Sequence, residues 1–313
     1  MKISTFALGL MAALALAAGA SAAELGAMAQ SVLPASTRQL VSVDYHRLAD
    51  NPLAAQIEKQ VLPDQMQNIV SLLRQGGVDP SQDLNRLTFA TYSNKSGIGL
   101  VAVAEGNFEG FKTSAFFHPT ERRPAPAQYN GTDYYSADGL TFFLPDSSTL
   151  VFGGLQAIHD AIDVIQGVVQ PLSNNSSMVN LISGTQTTDI WSVLDAAGAR
   201  GLVAAMASGT GKFDANALAN HFDGARYTIE FDQNVKVNLE LMTDDPMSAG
   251  LASTGLRAAV LYKQYQAKDP ALKNLLSQIQ VDSAGNDAFL QVESPQATVA
   301  NLLNTDLFKS IMR

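Results

Sequence analysis

The order of elements along the chain constrains its fold more than any single motif does. LNRLTFATYSNKSGIGLVAVAEG (84–106) reads as strand, polar glycine-containing turn and strand, and GNFEGFKTSAFF then reads as a short helix. TFFLPDSSTLVFGG (141–154) followed by LQAIHDAIDVIQGV has the same order. So do ARYTIEFDQNVKVNLELMTDDPMSAGLASTGLRAAVLY (225–262) and IQVDSAGNDAFLQVESPQATVANLL (279–303). Strands joined by tight turns must run antiparallel, because parallel neighbours need a long crossover. Helices placed between hairpins then cover one sheet face. The expectation is an α+β protein of antiparallel sheets with helices packed on one face, built as two similar hairpin-helix modules.

Two of these units precede about residue 170 and two follow about residue 185, with QPLSNNSSMVNLISGTQTTD (170–189), rich in Ser, Asn and Thr, as the boundary between them. The predicted organisation is a leader over 1–22, a tether over 23–36, a module over 37–170, a linker over 171–188 and a module over 189–313. The repeated order suggests an internal duplication; one continuous sheet through both halves is the alternative arrangement.

Local chemistry adds detail. TRQLVSVDYHRL (37–48) alternates as a strand does. Asn51-Pro52, Asp245-Pro246, Asp269-Pro270 and Ser294-Pro295 each offer a capping side chain before a proline at the first helical position. Pro63 predicts a break, and the helix after it, with Met66, Ile69, Val70 and Leu73 inward, ends at Gly76-Gly77. In the helix from Pro246, Ala249, Gly250, Ala252, Gly255, Ala258 and Ala259 predict close packing on a sheet.

The start of the chain bears on compartment. Lys2, an apolar run from Phe6 to Ala18 and the small-x-small Ala20-Ser21-Ala22 read as a cleaved signal peptide, with the mature chain starting near Ala23 or Glu24. That run is shorter than the roughly 20 residues a spanning helix needs, and no later segment is long and apolar enough, so no membrane-spanning segment is expected after cleavage. The expected location is periplasmic or extracellular. The chain has no cysteine, so an exported body must be held by its core alone, and 46% hydrophobic residues supply one. A net charge of −9 argues against a nucleic-acid partner, where binding rests on Lys and Arg.

No recognisable catalytic constellation appears. GxSxG, SxxK and HExxH are absent, and without cysteine there is no thiol chemistry. In SGTGKF (208–213) the phosphate-loop positions are held by Met206 and Phe213, and the glycines of GIGLVA (97–102) open a strand where a dinucleotide fingerprint would follow one. DSAGND (282–287) reads as a hairpin turn. His159 and Asp163 stand one helical turn apart and are the weak metal candidates; Ile158, Ile162 and Ile165 mark a buried face beside them and no third ligand is near. His221 lies in turn chemistry near Asp223, His118 precedes a proline and His46 closes a strand. No cofactor and no metal are predicted. One loop, HPTERRPAPAQYNGTDYYSADG (118–139), is expected to be extended and exposed, and its Arg122, Arg123, Tyr129, Tyr134 and Tyr135 are the candidate ligand or partner contacts.

VDYHRLADNP (43–52), GVDPSQDLNRLTF (77–89), AEGNFE (104–109) and YNGTDYY (129–135) resemble segments of uncharacterised secreted bacterial proteins of two α+β modules. That resemblance implies the same architecture and assigns no functional residue. The functional expectation is an exported, non-enzymatic binding or envelope-associated protein acting on an envelope protein, a glycan or an apolar ligand, with the groove between modules as one location. The alternative is a secreted hydrolase with a carboxylate-based site.

Overall fold

A computed structural model of the chain describes residues 25–48, 51–53, 64–113, 126–137, 139–185, 188–207 and 220–303. The leader, Pro63, Arg122, Arg123, His118 and the 208–213 segment lie outside them. No helix among the described residues is long and apolar enough to cross a membrane. The described residues divide into two compact units, one of 25–48 and 64–185 and the other of 188–303 together with 51–53.

The first unit runs through α1 (Ala27–Val32), β1 (Thr37–Asp44), α2 (Asp64–Gln75), β2 (Leu84–Asn94), β3 (Gly97–Gly106), α3 (Glu109–Thr113), β4 (Ala127–Tyr129), β5 (Thr132–Ala137), β6 (Leu140–Phe143), β7 (Thr149–Gly153), α4 (Leu155–Ile165) and α5 (Ser176–Ser183). Single helical turns at Tyr45–Leu48 and Pro80–Asp83 join them. Its strands lie in the order β1-β2-β3-β7-β6-β5-β4, every neighbouring pair antiparallel. Phe108, Phe111, Phe142, Phe143 and Phe152 are all fully buried, as are Leu87, Leu150 and Ile158. The ring of Phe142 stands 6.0 Å from those of both Phe111 and Phe152, a spacing at which aromatic pairs attract.

The second unit holds β8 (Ile190–Asp195), α6 (Ala196–Ala207), β9 (Phe222–Phe231), β10 (Asn234–Thr243), α7 (Pro246–Gln266), α8 (Pro270–Ser277), β11 (Gln280–Ala284), β12 (Asp287–Pro295) and α9 (Gln296–Leu303). Its strand order is β8-β9-β10-β12-β11, again antiparallel throughout. The first unit repeats this order as β1-β2-β3-β7-β6, and β4 and β5 extend its free edge. In both, a lone strand is followed by two hairpins, and the later strand of the second hairpin pairs with the later strand of the first. The architecture is therefore α+β with antiparallel sheets.

Several expectations are corrected locally. The stretch from Leu25 to Pro34 is no bare tether: α1 buries Ala29 and Val32, and Leu25 and Leu33 beside it are buried too. The 171–188 segment is more than a linker. Asn175 caps α5 by accepting from the Met178 N–H at 3.1 Å, and Met178, Leu181 and Ile182 are buried. The loop around Tyr129, Tyr134 and Tyr135 is the β4–β5 hairpin, turned by Asn130 and Gly131 at φ 48° and 79°. Those two positive angles are what an Asn-Gly two-residue turn supplies. Ser294-Pro295 ends β12, and α9 starts one residue later than expected. The remaining proline-marked starts hold. Asn51 accepts from the Leu53 N–H, Asp245 from those of Met247 and Ser248, and Asp269 from those of Ala271 and Leu272.

Candidate functional site

The sequence VKVNLEL of β10 alternates, so its two faces differ: Val235, Leu239 and Leu241 are buried, while Lys236 and Asn238 point the other way. The register extends that second face across the sheet. Lys236 lies between Glu230 of β9 and Glu293 of β12, and Asn238 lies between Thr228 and Gln291, with Gln280 of β11 beyond. Glu230, Lys236, Asn238, Gln280, Gln291 and Glu293, with Gln278 at the end of α8 and Val292, line a trough of about 650 Å³, and Thr228 continues the Asn238 row beside it. Helix α7 lies against the same strands with Ala249, Ala252, Gly255 and Ala259 buried as its composition predicts, whereas Gly250 is half-buried and Ala258, expected to pack with them, is exposed on the outer face.

The trough is a field of hydrogen-bonding groups. Asn238 donates to the Thr228 hydroxyl at 3.3 Å, and Asn234 donates to Glu293 at 2.7 Å. On the next row Arg226 and Glu240 form a cross-strand ion pair. The Oε1 of Gln278 is buried without a hydrogen-bond partner, an acceptor that is costly to leave unsatisfied. Amide side chains both donate and accept, so this surface suits a ligand that does both. Two carboxylates flank the one ammonium of Lys236, which disfavours polyanions.

Tyr129, Tyr134, His159 and Asp163, nominated separately from sequence, meet in the first unit. Tyr129 stacks on His159 with centroids 3.9 Å apart and planes 6° from parallel, and Tyr134 meets the same ring edge-on at 5.5 Å. Asp163 accepts from the Tyr129 hydroxyl at 3.3 Å and from the Asn130 amide at 3.2 Å. Gln166 donates to the Asn130 carbonyl at 2.9 Å. The pair nominated for a metal thus holds the β4–β5 hairpin onto α4, and both Asp163 oxygens already accept hydrogen bonds. Tyr135 stacks on Phe142 at 5.6 Å. Tyr92 and Asn94 donate to Asp160 on the same helix, and burial drives the Tyr92 phenol well above its ordinary range.

A grouping that sequence reading missed lies in the second unit. His221 Nδ1 stands 3.0 Å from Asp244 Oδ1 and 3.8 Å from Asp245 Oδ2, and the three residues are close enough together to share a cation. Register produces the meeting, since Phe222 pairs with Thr243 and the residues just outside that pair face one another. Asp245, however, caps α7 through both oxygens, accepting from Ser248 Oγ at 2.7 Å and from two backbone N–H groups. Its carboxyl falls to about 2, chiefly through the Ser248 hydroxyl.

The fold and trough define a two-unit antiparallel α+β protein with a polar sheet face. No protein-family model and no curated protein matches the chain. Its backbone is similar to the structure of crystal form I of TP0453, at TM-score 0.46 and 11% identity over 88% of this chain and 95% of that one. It is likewise similar to that protein's crystal forms III and IV, at TM-score 0.47 and 8% and 9% identity over 88% of this chain and 96% of each.

Proposed function

We propose that the chain is an exported, non-enzymatic binding protein whose second unit takes an uncharged, hydroxyl-rich ligand of the oligosaccharide class in the β9–β12 trough. The observation that carries this reading is the cross-strand row Thr228, Asn238, Gln291 and Gln280, with the unpartnered Gln278 acceptor beside it. Amide and hydroxyl groups about 4.5–5.5 Å apart across strands match a chain of vicinal hydroxyls, each of which donates one hydrogen bond and accepts others. Phe289, two residues along β12 from Gln291, places an aromatic ring on the same face for the apolar side of a sugar. A lining this polar does not favour a lipid. Export rests on the Phe6–Ala18 run and Ala20-Ser21-Ala22, and intact-mass measurement of the protein from an envelope fraction tests it: a start near Ala23 or Glu24 is expected.

The ligand is tested by titrating the isotope-labelled chain with chitotetraose and maltotetraose. The side-chain amide signals of Asn238, Gln278, Gln280 and Gln291 should move, and Asn238→Leu with Gln291→Leu should abolish the response. Unmoved amides at millimolar sugar would refute the reading. The hydrolase alternative has one specific observation behind it, the His221–Asp244 pair. Sugar cleavage that disappears in His221→Ala would establish it instead.

A further inference from the structure

Helix α7 wears its side chains inside out. A helix lying on a sheet with its outer face in water normally turns large apolar residues inward and polar ones outward. Here the inward face is small, and the outward face exposes Met247 (75%), Leu251 (53%), Leu261 (59%) and Tyr265 (88%). Thr254 and Ala258 complete the stripe and are also exposed. The spacing is four, three, four, three, four, the repeat that keeps a seam facing a second helix along its whole length. The stripe covers about 27 Å of helix at about 1.5 Å per residue.

The stripe is also symmetric about Leu256. Met247 and Tyr265 lie nine residues to either side, Leu251 and Leu261 five, Thr254 and Ala258 two. Turning a second copy of this helix end for end therefore sets Met247 against Tyr265, Leu251 against Leu261 and Thr254 against Ala258. Large residues meet at the ends and small ones at the centre, where two helices cross most closely. The flanks of the helix carry opposite charge: exposed Asp244, which also holds His221, precedes it and exposed Lys268 follows it, so antiparallel pairing brings an acidic flank to a basic one at each end. We infer that α7 is a two-fold docking surface for a second copy of this chain, paired antiparallel through the Met247–Tyr265 stripe. A two-fold contact uses one patch twice and must be self-complementary, which this stripe is. The inference does not depend on what occupies the trough.

Sedimentation velocity of the purified chain across the micromolar range should show a mass rising to twice that of the monomer, because a single helix seam lies at the small end of stable interfaces. Leu251→Lys should remain monomeric with an unchanged circular dichroism spectrum, since the position is exposed. The absence of cysteine allows a test of register. Chains carrying Leu251→Cys mixed with chains carrying Leu261→Cys should cross-link efficiently, and neither alone should. Self-linking of Leu251→Cys would mean parallel pairing and overturn the geometry. A monomer throughout the range, including one that binds neutral lipid vesicles, would overturn the proposal, as would a dimer in which the mixed pair fails to link.

Discussion

Arg86 is the residue whose surroundings say most about how the first unit tolerates buried charge. It is 2% exposed, its Nη1 donates to Ser42 Oγ at 3.1 Å, and its Nη2 stands 3.8 Å from Asp44 Oδ2. Glu105 faces it across the β2–β3 ladder. Removing one partner of a buried pair strands the other, at about 3–5 kcal/mol, whereas replacing both with packed apolar groups is often neutral. Arg86→Met should therefore cost about that much in chemical denaturation, and adding Asp44→Leu should restore a large part. Glu105 titrates the other way from most carboxylates. Burial pushes its carboxyl above the ordinary 4.5, Arg86 pulling against it, so the fold favours the protonated form. That contribution is complete below pH 4.5 and is lost as pH rises through the folded value. Glu105→Gln should flatten the stability profile above pH 4.5, measured by urea midpoints at stepped pH; an unchanged slope would contradict the assignment. The same carboxylate receives the Gly26 N–H at the start of α1, and a Cβ at Gly26 would force the Glu105 carboxylate to shift.

Among the elements, caps and hairpins were readable because their chemistry is local. Asp245 and Asp269 cap as Asx-Pro pairs do, and Gly76-Gly77 closes α2 with Gly77 at φ 83°, while the Val78 N–H returns to the Leu73 carbonyl at 3.0 Å. The depressed Asp245 carboxyl supports α7 above its unfolded value near 3.8, and that support fades as pH falls toward about 2, so the helix start should loosen over this window and Asp245→Ala should lessen its acid sensitivity. What sequence could not supply was register. His221 reaches Asp244 because two strands pair with one particular offset, and the trough row assembles from four strands separated by up to sixty-three residues, Thr228 to Gln291. The β4–β5 hairpin is a different omission. YNGTDYY carries the Asn130-Gly131 turn signal, but the prolines before it favour an extended loop and mask it. That hairpin depends on α4: His159→Ala removes the stacked ring under Tyr129 and should cost about 0.5–1.5 kcal/mol, with amide exchange rising over 127–137 and not elsewhere.

At the scale of the whole molecule, one strand order occurs in both units, and that is the trace expected of a duplication. It also frames how the two proposals combine. In the second unit the trough residues Lys236 and Asn238 alternate with Val235 and Leu239, whose side of the sheet faces α7. Pairing two copies through α7 would leave both troughs open and pointing away from one another. Two sites so placed cannot grip one short ligand together, so pairing should give no gain for an oligosaccharide, where gains of 10²–10⁴ need simultaneous engagement. They can bridge separate strands of a polymer. The wild-type chain should therefore precipitate a soluble neutral polysaccharide that carries the bound sugar, with a maximum at intermediate protein ratio. Leu251→Lys should bind the corresponding tetrasaccharide with the same affinity and precipitate nothing. Equal precipitation by both would place the bridging elsewhere, and a weaker tetrasaccharide affinity in Leu251→Lys would show that the helix face and the trough are coupled through the sheet between them.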